Sequence, residues 1–252
     1  MRITILGCGT SGGVPRVGGE WGACDPKEPK NRRRRCSILV QQGHTTALID
    51  TAPDLREQLL DAEVKKLDAV IWTHDHADQC HGIDDVRMFF VRTGKRVEGW
   101  ADERTLDALM RRFGYIFAPP EGSMYPPIVK PNIIQGRFRV GEIEVEPLQQ
   151  DHGGMPSLGF RFGDMAYCND VVELPEATLA ALTGLKVFIV DAMRYRPHPS
   201  HAHLERALDW VRRLKPERAV LTNMHIYLAS QTLRRELPPG VEPGYDGMVL
   251  EA

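Results

Sequence analysis

Short apolar segments recur along the chain, separated by turns or by amphipathic stretches. RITILG near the start, LDAVIW in the first half and KVFIVDAM in the second half have the composition of buried strands. DLREQLLDAEV and AHLERALDWVRRL place apolar residues three and four positions apart, which predicts amphipathic helices. Strands that alternate with helices in this way are typical of an α/β fold.

Glycine and proline mark several of the predicted boundaries. A helix in GIDDVRMFFVRTG is predicted to end at Gly94, and another helix is predicted in RTLDALMRRFGYIF. The Pro-rich segment APPEGSMYPPIVKP, residues 118–131, is predicted to be a loop because proline lacks the backbone N–H that strands and helices use. FRVGEIEVEPLQQDH and SLGFRFGDMAYCND are predicted to be antiparallel strands. Because we find no linker, the pattern predicts one α/β domain over residues 1–252, made of two loosely similar halves.

Composition narrows the class of protein. The 252 residues are 42% hydrophobic, which is enough for a large core, and the formal net charge of -2 does not favour binding to polyanions. The sequence has no apolar stretch of membrane-spanning length, and we expect a cytoplasmic protein. Five scattered cysteines without a CxxC pair argue against a disulfide framework and against a cysteine zinc ribbon.

Eight of the nine histidines lie in or beside loops that follow predicted strands. THDHADQCHG comes directly after LDAVIW and contains His74, His76 and Asp78. Residues two apart in an extended segment point the same way, so both imidazoles can be directed at one point, with the carboxylate beside them. Imidazole and carboxylate together suit Zn²⁺, Mn²⁺ or iron. The other strand ends supply His152, Asp170, His198, His201, His203, Asn223 and His225.

THDHAD, taken with GCGTSGG, LIDTAPDLR, DH at 151–152 and YCND at 167–170, resembles the metallo-β-lactamase superfamily. More narrowly, the chain resembles the PhnP-like phosphoribosyl 1,2-cyclic phosphate phosphodiesterases and ribonuclease Z. The resemblance runs from ITILGCGTSGGVPR to VEPGYDGM and so covers nearly the whole chain. It implies an αββα sandwich, in which two mixed sheets pack face to face with helices outside and metals bind at the edge between the sheets.

The resemblance also implies a set of metal ligands. His74, His76 and His152 correspond to the ligands of the first metal ion, and Asp170 to the residue that bridges it to a second ion. Asp78 belongs to the second site.

Two ligand positions depart from the family pattern. The family reads HxHxDH where this chain has Gln79, and LTH where it has Asn223. An amide oxygen is a weaker ligand than imidazole for zinc, although a harder ion such as Mn²⁺ accepts it. His225, two residues after Asn223, is an alternative ligand. We therefore expect one tight site for Zn²⁺ or Mn²⁺ and a second site that is weak or absent.

The remaining residues of the resemblance concern the substrate. Asp78 is expected to orient the attacking water, and His201 to act as an acid on the leaving oxygen. His198 and His203, in the same HPSHAH segment, are assigned to substrate binding.

These features predict a metal-dependent phosphodiesterase that hydrolyses a small, cyclic or nucleotide phosphodiester. The alternatives are an RNA-processing nuclease of the ribonuclease Z type and a non-catalytic relative that binds a metal or a nucleotide. The basic run KNRRRRC, residues 30–36, lacks the interleaved aromatic residues of a nucleic-acid surface, so a nucleic-acid partner is not expected. A membrane partner is not expected either, since no apolar stretch is long enough to span a bilayer. The oligomeric state is open, with a homodimer as one option.

Overall fold

The structure is a computed structural model that describes all 252 residues, and it contains two seven-stranded sheets. The strands are, in chain order, β1 Arg2–Gly7, β2 Ser37–Gln42, β3 Thr45–Ile49, β4 Ala69–Ile71, β5 Val97–Ala101, β6 Val129–Ile133, β7 Phe138–Val140, β8 Ile143–Asp151, β9 Pro156–Phe162, β10 Met165–Cys168, β11 Val187–Asp191, β12 Arg218–Thr222, β13 Val241–Pro243 and β14 Val249–Glu251. The α-helices are α1 Leu55–Asp61, α2 Ala77–Cys80, α3 Arg87–Thr93, α4 Glu103–Phe117, α5 Glu176–Ala181, α6 Leu204–Leu214 and α7 Ser230–Glu236. None of these helices combines the length and the apolar character that crossing a bilayer requires.

The two sheets have the same pattern of strand directions. The first has the order β14-β1-β2-β3-β4-β5-β6, and the second has the order β13-β12-β11-β10-β9-β8-β7. In the first sheet the pairs from β14 to β3 are antiparallel, and those from β3 to β6 are parallel. In the second, the pairs from β7 to β10 are antiparallel and those from β10 to β13 are parallel. The predicted sandwich of two mixed sheets with helices outside is therefore confirmed, as are the two similar halves.

Side chains alternate between the two faces of each strand, and this divides the interior into layers. Ile38 and Val40 of β2 belong to a cluster of 42 buried residues that draws on both sheets. Leu39, between them, belongs to a separate cluster of 20 residues that includes side chains of α1, α3 and α4. Because successive side chains of a strand point to opposite faces, the first sheet packs on the second sheet with one face and on helices with the other.

Most of the predicted elements are present, and their ends have the expected chemistry. α3 ends at Gly94, whose φ of 65° is in the left-handed region that glycine adopts without strain. α4 begins after Asp102, whose side chain accepts a hydrogen bond from the backbone N–H of Thr105 at 2.7 Å.

The loop predicted over residues 118–131 overlaps the start of a strand. β6 begins at Val129 and includes Pro131. β6 is the outermost strand of its sheet, where one side of the backbone has no partner strand, so a residue without an N–H is tolerated. β5 and β13 were not predicted, because β5 contains Glu98 and Gly99 and β13 has only three residues.

A close backbone approach at the end of β1 makes Gly7 sensitive to substitution. A Cβ at this position would lie 2.0 Å from the carbonyl oxygen of Arg35 and 2.9 Å from that of Arg34. Because backbone atoms cannot move aside, we expect Gly7→Ala to lower the free energy of unfolding by about 1–3 kcal/mol or more. Gly114→Ala in α4 is the matched control, since nothing lies within 4 Å of its added Cβ. Urea unfolding measures both, and a Gly7→Ala midpoint equal to that of the unmodified protein contradicts this contact.

Candidate metal centre

Three histidines converge at the edge between the two sheets. His74 and His76 follow β4, and His152 follows β8. One ring nitrogen from each lies within 4.8 Å of the others, and His152 Nε2 is 3.3 Å from His76 Nδ1. His76 has an extended backbone, with φ −65° and ψ 152°, before the chain enters α2. The spacing of two residues therefore brings both imidazoles of the segment to one point, as the sequence predicts.

The other ring nitrogens are held by the protein. His152 Nδ1 donates to the carbonyl oxygen of Ser200 at 2.7 Å. His74 Nδ1 is 2.9 Å from the hydroxyl oxygen of Thr73, and that hydroxyl lies 2.9 and 3.1 Å from the two carboxylate oxygens of the buried Asp50. Because the Thr73 hydroxyl donates to Asp50, it accepts from His74 Nδ1, and the lone pair of His74 is on Nε2.

The donor set fits a metal ion. His74 Nε2 is buried and has no hydrogen-bond partner in the protein, which is rare for a buried polar atom. Burial, with the neighbouring histidines, lowers the pKa of His74 well below its usual value and that of His152 to about 4. Both rings are therefore neutral at pH 7, which is the form that binds metals.

Asp170 lies beside the three histidines and is surrounded by amides. It follows β10 with a φ of 50° and is buried. Its carboxylate accepts hydrogen bonds from Gln79 Nε2 at 2.9 Å, from Asn223 Nδ2 at 3.3 Å and from Asn169 Nδ2 at 2.5 Å. Gln79 and Asn223 thus direct N–H groups at the carboxylate where the family pattern has histidines, and Gln79 Oε1 is buried without a partner.

His201 is held by a carboxylate that the sequence reasoning did not select. His201 Nδ1 lies 2.9 Å from Oδ2 of Asp191, the last residue of β11, and 3.6 Å from Oδ1 of Asp170. Its ring centroid is 4.7 Å from that of His152. Burial lowers the pKa of His201, but Asp191 and Asp170 outweigh this and raise it to about 9. The ring is therefore charged at neutral pH, next to the neutral rings of His74 and His152.

Two of the other selected residues lie close to the centre. Asp78 is half-buried in α2, and its carboxylate is 3.4 Å from Gln79 Nε2. His198 has its ring centroid 5.0 Å from that of His201, and its Nδ1 accepts from the backbone N–H of Ser200 at 3.2 Å.

His203 and His225 have different surroundings. His203 precedes α6 and pairs through its backbone with Arg194. His225 contacts the guanidinium of Arg16 with Nε2, and its ring centroid is 4.6 Å from that of Tyr227. Neither residue belongs to the two histidine clusters with metal-binding geometry, which consist of His74, His76 and His152 and of His152, Asp170 and His201. The geometry therefore does not support His225 as a replacement for Asn223.

The residues that hold the histidines were not singled out from the sequence. Asp50, Thr73, Asp191 and Asn169 are all buried, and Asp50 and Asp191 each stand at the end of an apolar strand. An acidic residue at the end of a strand is the same signal that identified Asp170. Asp50, at the end of LID, and Asp191, at the end of FIVD, could therefore have been selected from the sequence.

Comparison with known proteins places this centre in a family. Residues 45–226 match the family described as "Beta-lactamase superfamily domain". The chain belongs to the metallo-β-lactamase superfamily. A crystal structure described as a new diphosphatase from the PhnP family is 35% identical, with a TM-score of 0.92 over 100% of this chain and 97% of that one. The short form of human tRNase Z has the same fold at 16% identity, with a TM-score of 0.70 over 100% of this chain and 99% of that one. The predicted resemblance to the PhnP-like and ribonuclease Z branch is confirmed.

A curated relative has a different name. A protein called octanoyltransferase, from Porphyromonas gingivalis (strain ATCC BAA-308 / W83), is 34% identical over 255 residues. The match covers 98% of this chain and 51% of that protein. The chain therefore spans about half the length of the curated relative that it matches.

Proposed function

We propose that this superfamily hydrolase is a metal-dependent phosphodiesterase, which cleaves a cyclic or nucleotide phosphodiester in a small molecule. The observation that carries the proposal is the pairing of two kinds of histidine. Three imidazoles converge on one point, and a charged fourth, His201, is held beside them by Asp191. The first group suits a metal ion, and the second suits an anionic phosphate ester that needs a proton on its leaving oxygen. The name of the PhnP-family relative, a diphosphatase, supports phosphate chemistry.

His74, His76 and His152 would hold the metal ion, with Asp170 beside them. Zn²⁺ and Mn²⁺ are the ions that this mixture of imidazole and carboxylate favours. A divalent ion held there would polarise the phosphoryl oxygen and lower the pKa of the attacking water toward neutrality, so that the water would lose its proton to solvent.

The protein residues supply the proton transfers and the alignment. Asp78 hydrogen-bonds the water that attacks phosphorus and keeps it in line with the leaving oxygen. As the bond between phosphorus and the leaving oxygen breaks, His201 Nε2 gives its proton to that oxygen. Asp191 accepts the hydrogen bond from Nδ1 throughout, so the ring keeps its orientation and the proton on Nδ1 stays in place.

The three amides around Asp170 support one tight metal site. A second cation would have to displace N–H groups that already satisfy both oxygens of the carboxylate, or turn Gln79 and Asn223 so that their oxygens face it. Both changes cost hydrogen bonds at a buried group. We therefore propose that the first site fills tightly and the second fills only with excess Mn²⁺ or not at all.

Restoring both histidines should create a second tight site. We expect Gln79→His with Asn223→His to raise the zinc affinity of the second site more than either change alone, because both imidazoles then share one ion. Calorimetric titration with zinc measures this, and the single variants are the matched controls. Two equally tight sites in the unmodified protein would show that the amides already act as ligands, and the one-site proposal would be wrong.

Diphosphate hydrolysis is a second candidate, because the PhnP-family relative is named for it. Cleavage of a diphosphate also needs attack of water on phosphorus, and its phosphate leaving group depends less on a proton than an alkoxide does. Octanoyl transfer through a cysteine is less supported. All five cysteines are buried, and burial raises the pKa of each thiol, so none is a ready thiolate.

Substrate turnover separates these activities. Purified protein with added Mn²⁺ or Zn²⁺ is tested on bis(p-nitrophenyl) phosphate, on an organic diphosphate, on a precursor tRNA and on an octanoyl thioester. We expect metal-dependent release of p-nitrophenolate. Turnover of the diphosphate, the tRNA or the thioester alone would contradict the proposal and identify the competing activity, and metal binding without any turnover would identify a non-catalytic relative.

A further inference from the structure

A cavity of about 470 Å³ lies on the loops that follow β11 and β12, and none of its lining residues is among those assigned to the reaction. Its lining consists of Arg194, Tyr195, Arg196 and Tyr227. Two tyrosines and two arginines in one cavity are suited to a planar ligand, since planar groups stack on aromatic rings and on guanidinium groups.

The two tyrosine rings are exposed but held in place. Tyr227 is 53% exposed and Tyr195 is 41% exposed. The ring of Tyr227 is supported by the ring of His225, with centroids 4.6 Å apart and an angle of 38° between the planes. The hydroxyl of Tyr195 donates to Glu236 at 2.9 Å. A ring that is fixed before binding loses little conformational freedom when a ligand stacks on it.

The cavity carries positive charge. The guanidinium of Arg194 donates to the carbonyl oxygens of Arg196 and Pro197, at 3.0 and 2.6 Å, and these neutral acceptors leave its charge uncompensated. Arg196 is exposed. Arg16 reaches the same region from the N-terminal part of the chain, where it contacts His225 and lies 3.7 Å from Glu20. An anionic ligand is therefore favoured over a neutral one.

Two loops connect this cavity to the metal centre. The backbone N–H of His225 donates to the carbonyl oxygen of Met193 at 2.9 Å, which joins the loop after β12 to the loop after β11. The first of these loops begins with Asn223, which bonds Asp170, and the second contains His201. The loops that line the cavity therefore also carry His201 and Asn223 of the candidate centre.

His225, whose ring lies against Tyr227, has a ring nitrogen without a hydrogen-bond partner. It is buried, and its Nδ1 has no partner in the protein. Since Nε2 faces the guanidinium of Arg16, which can only donate, the ring proton is on Nδ1. A buried donor without an acceptor is rare and is satisfied most simply by an acceptor on a ligand.

We infer that the cavity lined by Tyr195 and Tyr227 binds the nucleobase of the substrate, so that the enzyme acts on a nucleotide ester and not on a simple aliphatic phosphodiester. The inference rests on the proposed phosphodiesterase function and specifies its substrate class. The base stacks on Tyr227, while Arg194 and Arg16 attract the negative charge of the nucleotide.

Two esters with the same leaving group test the inference. Thymidine 5′-(p-nitrophenyl phosphate) carries a base, and methyl p-nitrophenyl phosphate does not. We expect Tyr227→Ala to lower the ratio of their kcat/KM values, thymidine ester over methyl ester, about 5- to 100-fold, the range for the loss of one base–aromatic stack. Tyr227→Phe keeps the ring and should keep the ratio. Tyr115→Ala removes an exposed tyrosine of α4 and is the control for loss of a surface ring. An unchanged ratio in Tyr227→Ala overturns the inference.

Binding gives a readout that does not depend on turnover. Thymidine 5′-monophosphate is titrated into each variant by calorimetry, and we expect Tyr227→Ala to weaken its binding by the same 5- to 100-fold while Tyr227→Phe does not. If neither ester is hydrolysed, the proposed function is wrong, and the nucleotide titration alone then shows whether the cavity binds a base. Equal binding in the unmodified protein and Tyr227→Ala, or no binding in either, overturns the inference whatever the activity.

Discussion

His74→Ala is expected to abolish tight metal binding and, with it, turnover of bis(p-nitrophenyl) phosphate. His74 provides the one ring nitrogen of the three-histidine cluster that is buried without any partner in the protein, and its orientation is fixed through Thr73 and Asp50. Removal of the ring takes away this one unpartnered nitrogen and breaks the convergence of three imidazoles, so that only His76, His152 and Asp170 remain. Metal content of the purified variant and its rate at saturating substrate are the two measurements.

The control for His74→Ala is His44→Ala, which removes an exposed histidine in the turn between β2 and β3. We expect this variant to keep full metal content and rate. A His74→Ala protein that still binds metal with full stoichiometry would remove His74 from the set of ligands, and the converging geometry of the three histidines would need another explanation.

His201→Ala is expected to keep its metal and to lose about 10²–10⁴ in kcat, the usual contribution of a general acid. His201 is charged because Asp191 and Asp170 raise its pKa to about 9, and Asp191 fixes its ring. The loss should depend on the leaving group. An alkoxide, as in a nucleoside 2′,3′-cyclic phosphate, needs the proton, whereas p-nitrophenolate leaves readily as an anion.

The leaving-group comparison separates an acid from a structural residue. If His201 only supported its neighbours, both substrates would lose the same factor. An unchanged rate with both substrates would exclude His201 as the acid and would direct attention to His198, whose ring is 5.0 Å from it.

The sequence contained enough information to predict the histidine centre. The spacing of His74 and His76 after an apolar strand fixes their common direction, because alternate residues of an extended segment share a face. His152 and Asp170 could be selected because each follows a strand, and the ends of neighbouring strands meet at one edge of a sheet. These inferences need only local periodicity and the order of the elements.

The direction of individual polar groups could not be predicted in this way. Gln79 was expected to offer its oxygen to a metal, but its N–H points to Asp170, a residue 91 positions further along the chain. His225 was considered as a ligand, but its partner is Arg16, which is 209 positions away. Which group a side chain bonds depends on packing between distant segments, and periodicity contains no information about it. The strand that includes Pro131 was missed for a similar reason, since only the sheet order shows that it lies at an edge.

The most direct test of a single metal site that supports phosphodiester hydrolysis is a titration of activity. Zinc, or manganese in a parallel series, is added stepwise to metal-free protein, and the rate of bis(p-nitrophenyl) phosphate hydrolysis is measured at each step. We predict that the rate rises linearly to one equivalent of metal per chain and then stays constant. A rate that rises to two equivalents, or no hydrolysis at any metal content, would contradict this prediction.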